Sequence, residues 1–240
     1  MLSSRQVELL TAIINEYVKS SSPVGSEILV SKYNIKYSPA TVRNEMAKLL
    51  DEGFLEMLHT SSGRIPTPMA YRYFLTEVMK EDEVPVLQEV AMKQRLWPHR
   101  YNFERMLYEG VRALSDLTKE LALVTTNDGY VIHAGEVNLL DYQEFWDINA
   151  AKTVFYLLDR YDLLDQVFKK AAYGDDVKYL IGDELGDKNM DLCGVVFSEY
   201  STGSKSGCIA VIGPARMQYS EVIPAVRYTK NLIEELSENW

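Results

Sequence analysis

The chain has 240 residues, 47% of them hydrophobic and 25% charged, which is enough apolar content for a buried core and too much for wholesale disorder. Its formal net charge of −10 argues against a surface that is nucleic-acid binding throughout, yet residues 1–80 hold 9 Lys and Arg against 8 Asp and Glu and the remainder 16 against 27. The acidity therefore lies outside the first third. No apolar run is long enough to span a bilayer, no signal peptide is evident and there are two cysteines, so a cytoplasmic protein with two buried thiols is expected.

Residues 3–19 read as a first helix, with Val7, Leu10, Ile13, Ile14, Tyr17 and Val18 as its apolar stripe and Ser3 or Ser4 as cap. A break at 20–25 leads to a short helix over 26–33 and a tight connection at 34–37. Ser38 then offers an N-cap, Pro39 suits the first helical position, and Gly53 suits the residue just past the end. Val42, Met46, Leu49 and Leu50 share one face of this third helix. The other face carries Ala40, Asn44, Ala47, Lys48 and Asp51, flanked by Thr41 and Arg43. Small and polar groups with a cation on an outward face are what base edges and phosphates accept. The alternative is an ordinary amphipathic surface helix.

After Gly53 the period changes. Residues 54–58 read as a strand, His59–Arg64 as a turn-rich tip and 65–67 as the return. Three helices ending in a capped one, followed by a hairpin, fit a winged helix-turn-helix domain over residues 1–80. Ser38, Ala40, Thr41, Arg43, Asn44 and Lys48 are its candidate DNA contacts. His59, Thr60, Ser61, Ser62, Gly63 and Arg64 would meet a phosphate or the minor groove. A near-neutral reader neutralises few phosphates, so binding should lean on a homodimer and an inverted-repeat operator in double-stranded DNA, and weaken steeply with salt.

A helix over 69–79 follows, with Tyr71, Phe74, Leu75 and Val78 as its stripe. Residues 81–101 are expected to be a linker and connecting helix, and 102–240 a second domain. There, 102–119 reads as helix, 120–126 and 130–138 as strands about an Asn-Asp-Gly turn, and 150–158 and 162–172 as helices. Residues 177–181 read as a strand, and 193–200 and 208–213 as strands joined by a flexible loop at 201–207. A final helix spans 219–236. The expectation is an α+β fold with an antiparallel sheet.

No catalytic constellation emerges. His59, His99 and His133 lie apart, none at zinc spacing; 203–207 lacks the order of a phosphate loop; Asp175-Asp176 and Asp183-Glu184 lack calcium-loop spacing. No enzyme activity, cofactor or metal is expected. Arg216 either binds an anion or pairs with an acidic neighbour. Cys193 and Cys208 are spaced so that a disulfide between neighbouring strands stays open.

Pro23-Val-Gly-Ser26, Ser38-Pro-Ala-Thr-Val-Arg-Asn44, Gly53-Phe-Leu-Glu56 and His59-Thr-Ser-Ser-Gly-Arg-Ile-Pro-Thr67 resemble the N-terminal domain of the HrcA family, heat-inducible transcription repressors of bacteria. Ala70-Tyr-Arg-Tyr-Phe-Leu75 continues the likeness. Ala113–Thr118, Gly135–Leu140, Glu144-Phe145, Ile181–Glu184 and Ile212–Tyr219 resemble the family's C-terminal region. The resemblance implies a GAF-like second domain, the operator called CIRCE, and dependence on the GroEL chaperonin. One departure stands out: strand 121–126 runs almost directly into 135–138, where the family carries an inserted dimerisation subdomain. A GAF-like domain also leaves open a small-molecule sensor, with Tyr130, Phe197 and Tyr200 as aromatics that could instead fill the cavity.

Overall fold

The computed structural model describes residues 2–57, 63–171 and 176–237. The chain divides into two compact units, Met1–Lys80 and Glu81–Trp240.

In the first unit, α1 (Ser4–Ser20) starts on a capping box in which Ser3 and Gln6 satisfy each other's backbone amides. Helix α2 (Ser26–Lys32) is tied to it through Glu16, buried on α1, which accepts from Lys32 at 2.7 Å and from Tyr33 at 3.2 Å. Those bonds, the Lys32 bond first, hold the Glu16 carboxyl below its ordinary range despite burial. Helix α3 (Pro39–Asp51) begins where the Ser38 hydroxyl accepts from the Thr41 amide at 3.2 Å. It ends ahead of Gly53, whose φ of +81° favours glycine. Leu9, Leu10, Ile13, Leu29, Val42, Met46 and Leu49 form the core these helices share.

Strands β1 (Leu55–Glu56) and β2 (Ile65–Pro66) pair antiparallel. The expected tip residues His59, Thr60, Ser61 and Ser62 lie outside the described residues. Helix α4 (Pro68–Tyr73), capped by Thr67, does not run on as a plain α-helix to residue 79: Phe74–Val78 is a π-helical turn. The Thr76 hydroxyl donates to the Arg72 carbonyl at 3.0 Å and the Tyr73 carbonyl at 3.4 Å. Such bonding competes with the backbone and favours a widened turn.

The second unit opens with α5 (Val86–Leu96), a 3-10 turn at Trp97–His99, and α6 (Phe103–Thr118), capped by Asn102. Helix α5, expected within a connector, packs on α6 and belongs to this unit, because Met92 and Leu96 are buried. Strand β3 (Leu121–Thr125) turns through Asn127–Gly129 into β4 (Val131–Ala134). The expected strand over 130–138 stops at Ala134. Gly135, at φ +85°, turns the chain into α7 (Glu136–Leu139), and a side chain there would strike the Ser115 hydroxyl and the Glu120 carbonyl.

Helices α8 (Ile148–Leu158) and α9 (Tyr161–Phe168) precede β5 (Lys178–Ile181), β6 (Cys193–Thr202), β7 (Lys205–Pro214) and α10 (Tyr219–Ser237). The five strands form an antiparallel sheet in the order β4-β3-β7-β6-β5. The loop expected at 201–207 is mostly strand: Thr202 pairs with Lys205 across a two-residue turn at Gly203, φ +59°.

Leu121, Leu123, Val195, Phe197, Ala210 and Ile212 point to one face and pack against α8 and α9, while α6 and α10 cover the sheet from the other. Phe197 stacks on Phe168 at 4.7 Å, and the buried Tyr200 donates to the Thr125 carbonyl at 2.9 Å. Tyr130, the third aromatic expected inside, is exposed instead, because β4 is an edge strand and Tyr130 precedes it.

Candidate nucleic-acid interface

Helix α3 buries Val42, Met46 and Leu49 and turns Ser38, Ala40, Arg43, Asn44, Ala47 and Lys48 outward, with Thr41 half-buried. Leu50, read with the buried stripe, is only partly covered, and Glu45 takes a buried place beside it. Thirteen residues give α3 a length of about 20 Å, long enough to lie in a major groove.

The outward cations differ in what holds them. The Lys48 ammonium sits 3.1 Å from the Glu45 carboxylate, which also draws Arg5 to 3.6 Å. Arg5 in turn stacks over the Tyr37 ring at 4.4 Å. Arg43 and Asn44 have no hydrogen-bond or ionic partner among the described residues. The structure thus leaves an unengaged guanidinium and amide side by side on the exposed face. Arg5 and Tyr37 escaped the sequence reading, since only the packing of α1 against α3 brings them there.

The hairpin is held at its base by a contact the sequence did not reveal. Val24, between α1 and α2, exchanges two backbone hydrogen bonds of 2.9 Å with Arg64. Gly63 lies so close that an added Cβ would stand 2.6 Å from the Pro23 carbonyl carbon. Two of the motifs quoted above, 40 residues apart, therefore meet at one bridge. Arg64 itself is half-buried, and its Nε is fully covered.

In the second unit, Arg216 resolves as a structural partner. It bonds Glu144 through Nε at 2.5 Å and Nη2 at 3.2 Å, and lies over the Tyr142 ring at 5.3 Å. The Tyr142 hydroxyl donates to Glu120 Oε1 at 2.8 Å. Glu120 is 3% exposed, and its Oε2 has no hydrogen-bond partner among the described residues. Burial pushes its carboxyl up to about 8, outweighing the Tyr142 bond and the nearby Arg216 charge, with Glu144 adding to the rise.

Cys193 and Cys208 face Pro214 and Glu199, not each other; both thiols are free, and burial pushes each up to about 12. An open cleft of about 570 Å³ lies near Thr125, Tyr161, Phe168, Tyr200 and Cys208. Its Lys178 pairs with Glu199 at 2.7 Å and its Lys169 with Asp165 at 2.5 Å. Among the described residues no group of His, Cys, Asp and Glu could hold a metal, and no helix is long and apolar enough to cross a membrane.

The architecture defines a two-unit protein of mixed helix and antiparallel sheet, with a capped helix and an anchored hairpin in the first unit. The family model for the HrcA protein C-terminal domain matches residues 75–223, and the chain belongs to the HrcA family. The heat-inducible transcription repressor HrcA of Bacillus pumilus (strain SAFR-032) is 25% identical over 340 aligned positions, spanning 99% of this chain and 98% of that protein. The repressor of the same name from Carboxydothermus hydrogenoformans is 23% identical over 340 positions, spanning 100% and 99%. A crystal structure described as a hypothetical protein at 2.2 Å resolution has the same fold, with a TM-score of 0.85, 19% identity and 99% of both chains covered. With 240 residues in this chain, alignments 340 positions long leave at least 100 positions of those repressors without a counterpart here. The tight turn between β3 and β4 is where the shortening was expected.

Proposed function

We propose that the protein is a DNA-binding transcription repressor of heat-inducible genes, acting in the cytoplasm as a dimer on an inverted-repeat operator of the CIRCE type. Residues 1–80 act as a winged helix-turn-helix reader. Helix α3 enters the major groove, where Ser38, Ala40, Thr41, Arg43 and Asn44 reach base edges or phosphates. Lys48, held by Glu45, serves a phosphate. The hairpin, with His59, Thr60, Ser61, Ser62, Gly63 and Arg64, grips the backbone.

The observation that carries this reading is the pair Arg43 and Asn44, exposed and unengaged on a capped helix beside an anchored hairpin. The second unit, read as a GAF-like domain, governs activity through its own folding. On this reading GroEL sustains the folded repressor, and heat withdraws that support by diverting the chaperonin to other clients. A marginally stable fold is the physical requirement.

Fluorescence anisotropy with an inverted-repeat duplex tests the reader. Arg43→Ala and Asn44→Ala should each weaken operator binding by about 1–3 kcal/mol, roughly 5- to 150-fold, with the thermal melt unchanged. Full affinity in both variants would refute the assignment of α3. Recovery of operator binding after heating, measured with and without chaperonin, tests the regulatory half.

A further inference from the structure

Helix α5 has two faces, and one of them packs on α6 and α10 of the second unit. Met92 and Leu96 are buried, Arg95 reaches Glu109 at 2.8 Å and Asp116 at 2.7 Å on α6, and Lys93 reaches Glu235 at 2.7 Å on α10. The Tyr228 hydroxyl on α10 donates to the Glu89 carbonyl at 3.1 Å. These contacts fix how α5 is rotated. Val86, Val90 and Trp97 then lie within about 40° of one another on the helical wheel, facing away from α6, and Leu87 borders them. Val86 is 74% exposed, Leu87 81% and Tyr101 77%. The Arg100 guanidinium lies over both the Trp97 ring, at 4.5 Å, and the Tyr101 ring, at 4.4 Å.

We propose that this stripe, Val86, Leu87, Val90, Trp97 and Tyr101, is the surface through which two copies of the chain associate. The proposal rests on the repressor reading above, which needs two readers on one operator. Three features point to a second copy. Five such side chains offer on the order of 500 Å² per copy, about 1,000 Å² for a pair, which reaches the lower bound for a specific interface without filling the roughly 800 Å² per partner of a standard one. A tryptophan, a tyrosine and a stacked arginine form the residue set on which binding energy concentrates.

Charge supplies the third feature. Residues 81–240 carry 16 basic and 27 acidic side chains, so two copies repel at a distance and contact is least opposed where the surface is uncharged. Along the stripe, Lys93 is already held by Glu235 and Arg100 by its two rings. A two-fold pairing along the stripe thus sets mainly apolar side chains against one another. Added salt should screen the repulsion and leave this contact intact or stronger, whereas it weakens DNA binding.

Sedimentation of the full chain without DNA tests the proposal. The wild type should sediment as a dimer at micromolar concentration and remain one as salt rises. Leu87→Glu and Trp97→Glu should sediment as monomers with unchanged circular dichroism; Leu87→Gln serves if a charged variant fails to fold. Trp146→Glu, at an exposed tryptophan elsewhere in the unit, should stay dimeric. The monomeric variants should lose about 100-fold in affinity for an inverted repeat while keeping their half-site affinity.

A wild type that is monomeric throughout, or dimers that survive all the stripe substitutions, would overturn the proposal. Dissociation by Trp146→Glu instead would move the interface and overturn it too. A dimer that ignores operator DNA would defeat the repressor reading alone, and a monomer that still binds operator would defeat the interface alone.

Discussion

Replacing Glu120 by glutamine gives the sharpest test of how the second unit is held together. The carboxyl is buried at the start of β3, against Gly213 and Met217, with one oxygen bonded by Tyr142 and the other without a hydrogen-bond partner among the described residues. Its pKa stands near 8 in the fold, against an ordinary 4.5. The folded chain therefore keeps a proton that the unfolded chain has released. This group's support of the fold is complete below about pH 4.5 and is lost as pH rises through about 8.

Each pH unit inside that window costs roughly 1.4 kcal/mol. Between about pH 5.5 and about pH 7.5 the wild type should thus lose about 2 to 3 kcal/mol that Glu120→Gln, neutral throughout, retains. In a chain of this length that is a melting temperature of roughly 4 to 12 °C. The assay is thermal unfolding of both proteins at the two pH values, followed by circular dichroism. The variant's advantage in melting temperature should widen by that amount from the acid condition to the neutral one. Parallel pH slopes in the two proteins would show that Glu120 is ionised in the fold and that the argument from burial is wrong.

Gly63→Ala should strain the hairpin anchor, because the new methyl meets Pro23 and Val24 backbone at 2.6–2.7 Å. Loss of the two Val24–Arg64 bonds would cost about 2 kcal/mol, seen as faster amide exchange at Val24 and Arg64; unchanged protection would contradict the bridge. Arg64→Ala should weaken operator and random duplexes alike and flatten the salt slope by about one unit, while a loss confined to operator would contradict a backbone role. The two thiols, pushed up to about 12 by burial, should react slowly with a thiol reagent at neutral pH and fully after denaturation. Rapid labelling of both in the native protein would contradict that burial.

Much of the first unit was legible because its signals are local. Ser3 and Ser38 cap the helices they precede, Pro39 occupies a first position, and Gly53 takes the positive φ that ends α3, whereas the Thr67 cap and the start of α4 at Pro68 were missed. The five strands of the second unit were also visible as apolar runs. What failed there was long-range. The 201–207 loop is strand because β6 and β7 pair to their ends, which composition alone argued against. Strand β4 stops early because Gly135 must pass close to Ser115 and Glu120 on another element. The helix after β2 widens because of where the Thr76 hydroxyl bonds.

The amino-acid order by itself determined where most helices and strands lie, where α3 begins and ends, and that Arg43 and Asn44 lie on its outward face, since periodicity and capping act within a few residues. Only the tertiary structure decided which charges are engaged. It set Glu45 between Lys48 and Arg5, closed Arg216 onto Glu144, buried Glu120 away from water, brought Val24 to Arg64, and turned the apolar stripe of α5 outward. Those outcomes depend on groups distant in sequence and on the low dielectric of a packed interior, which exist only once the chain has folded.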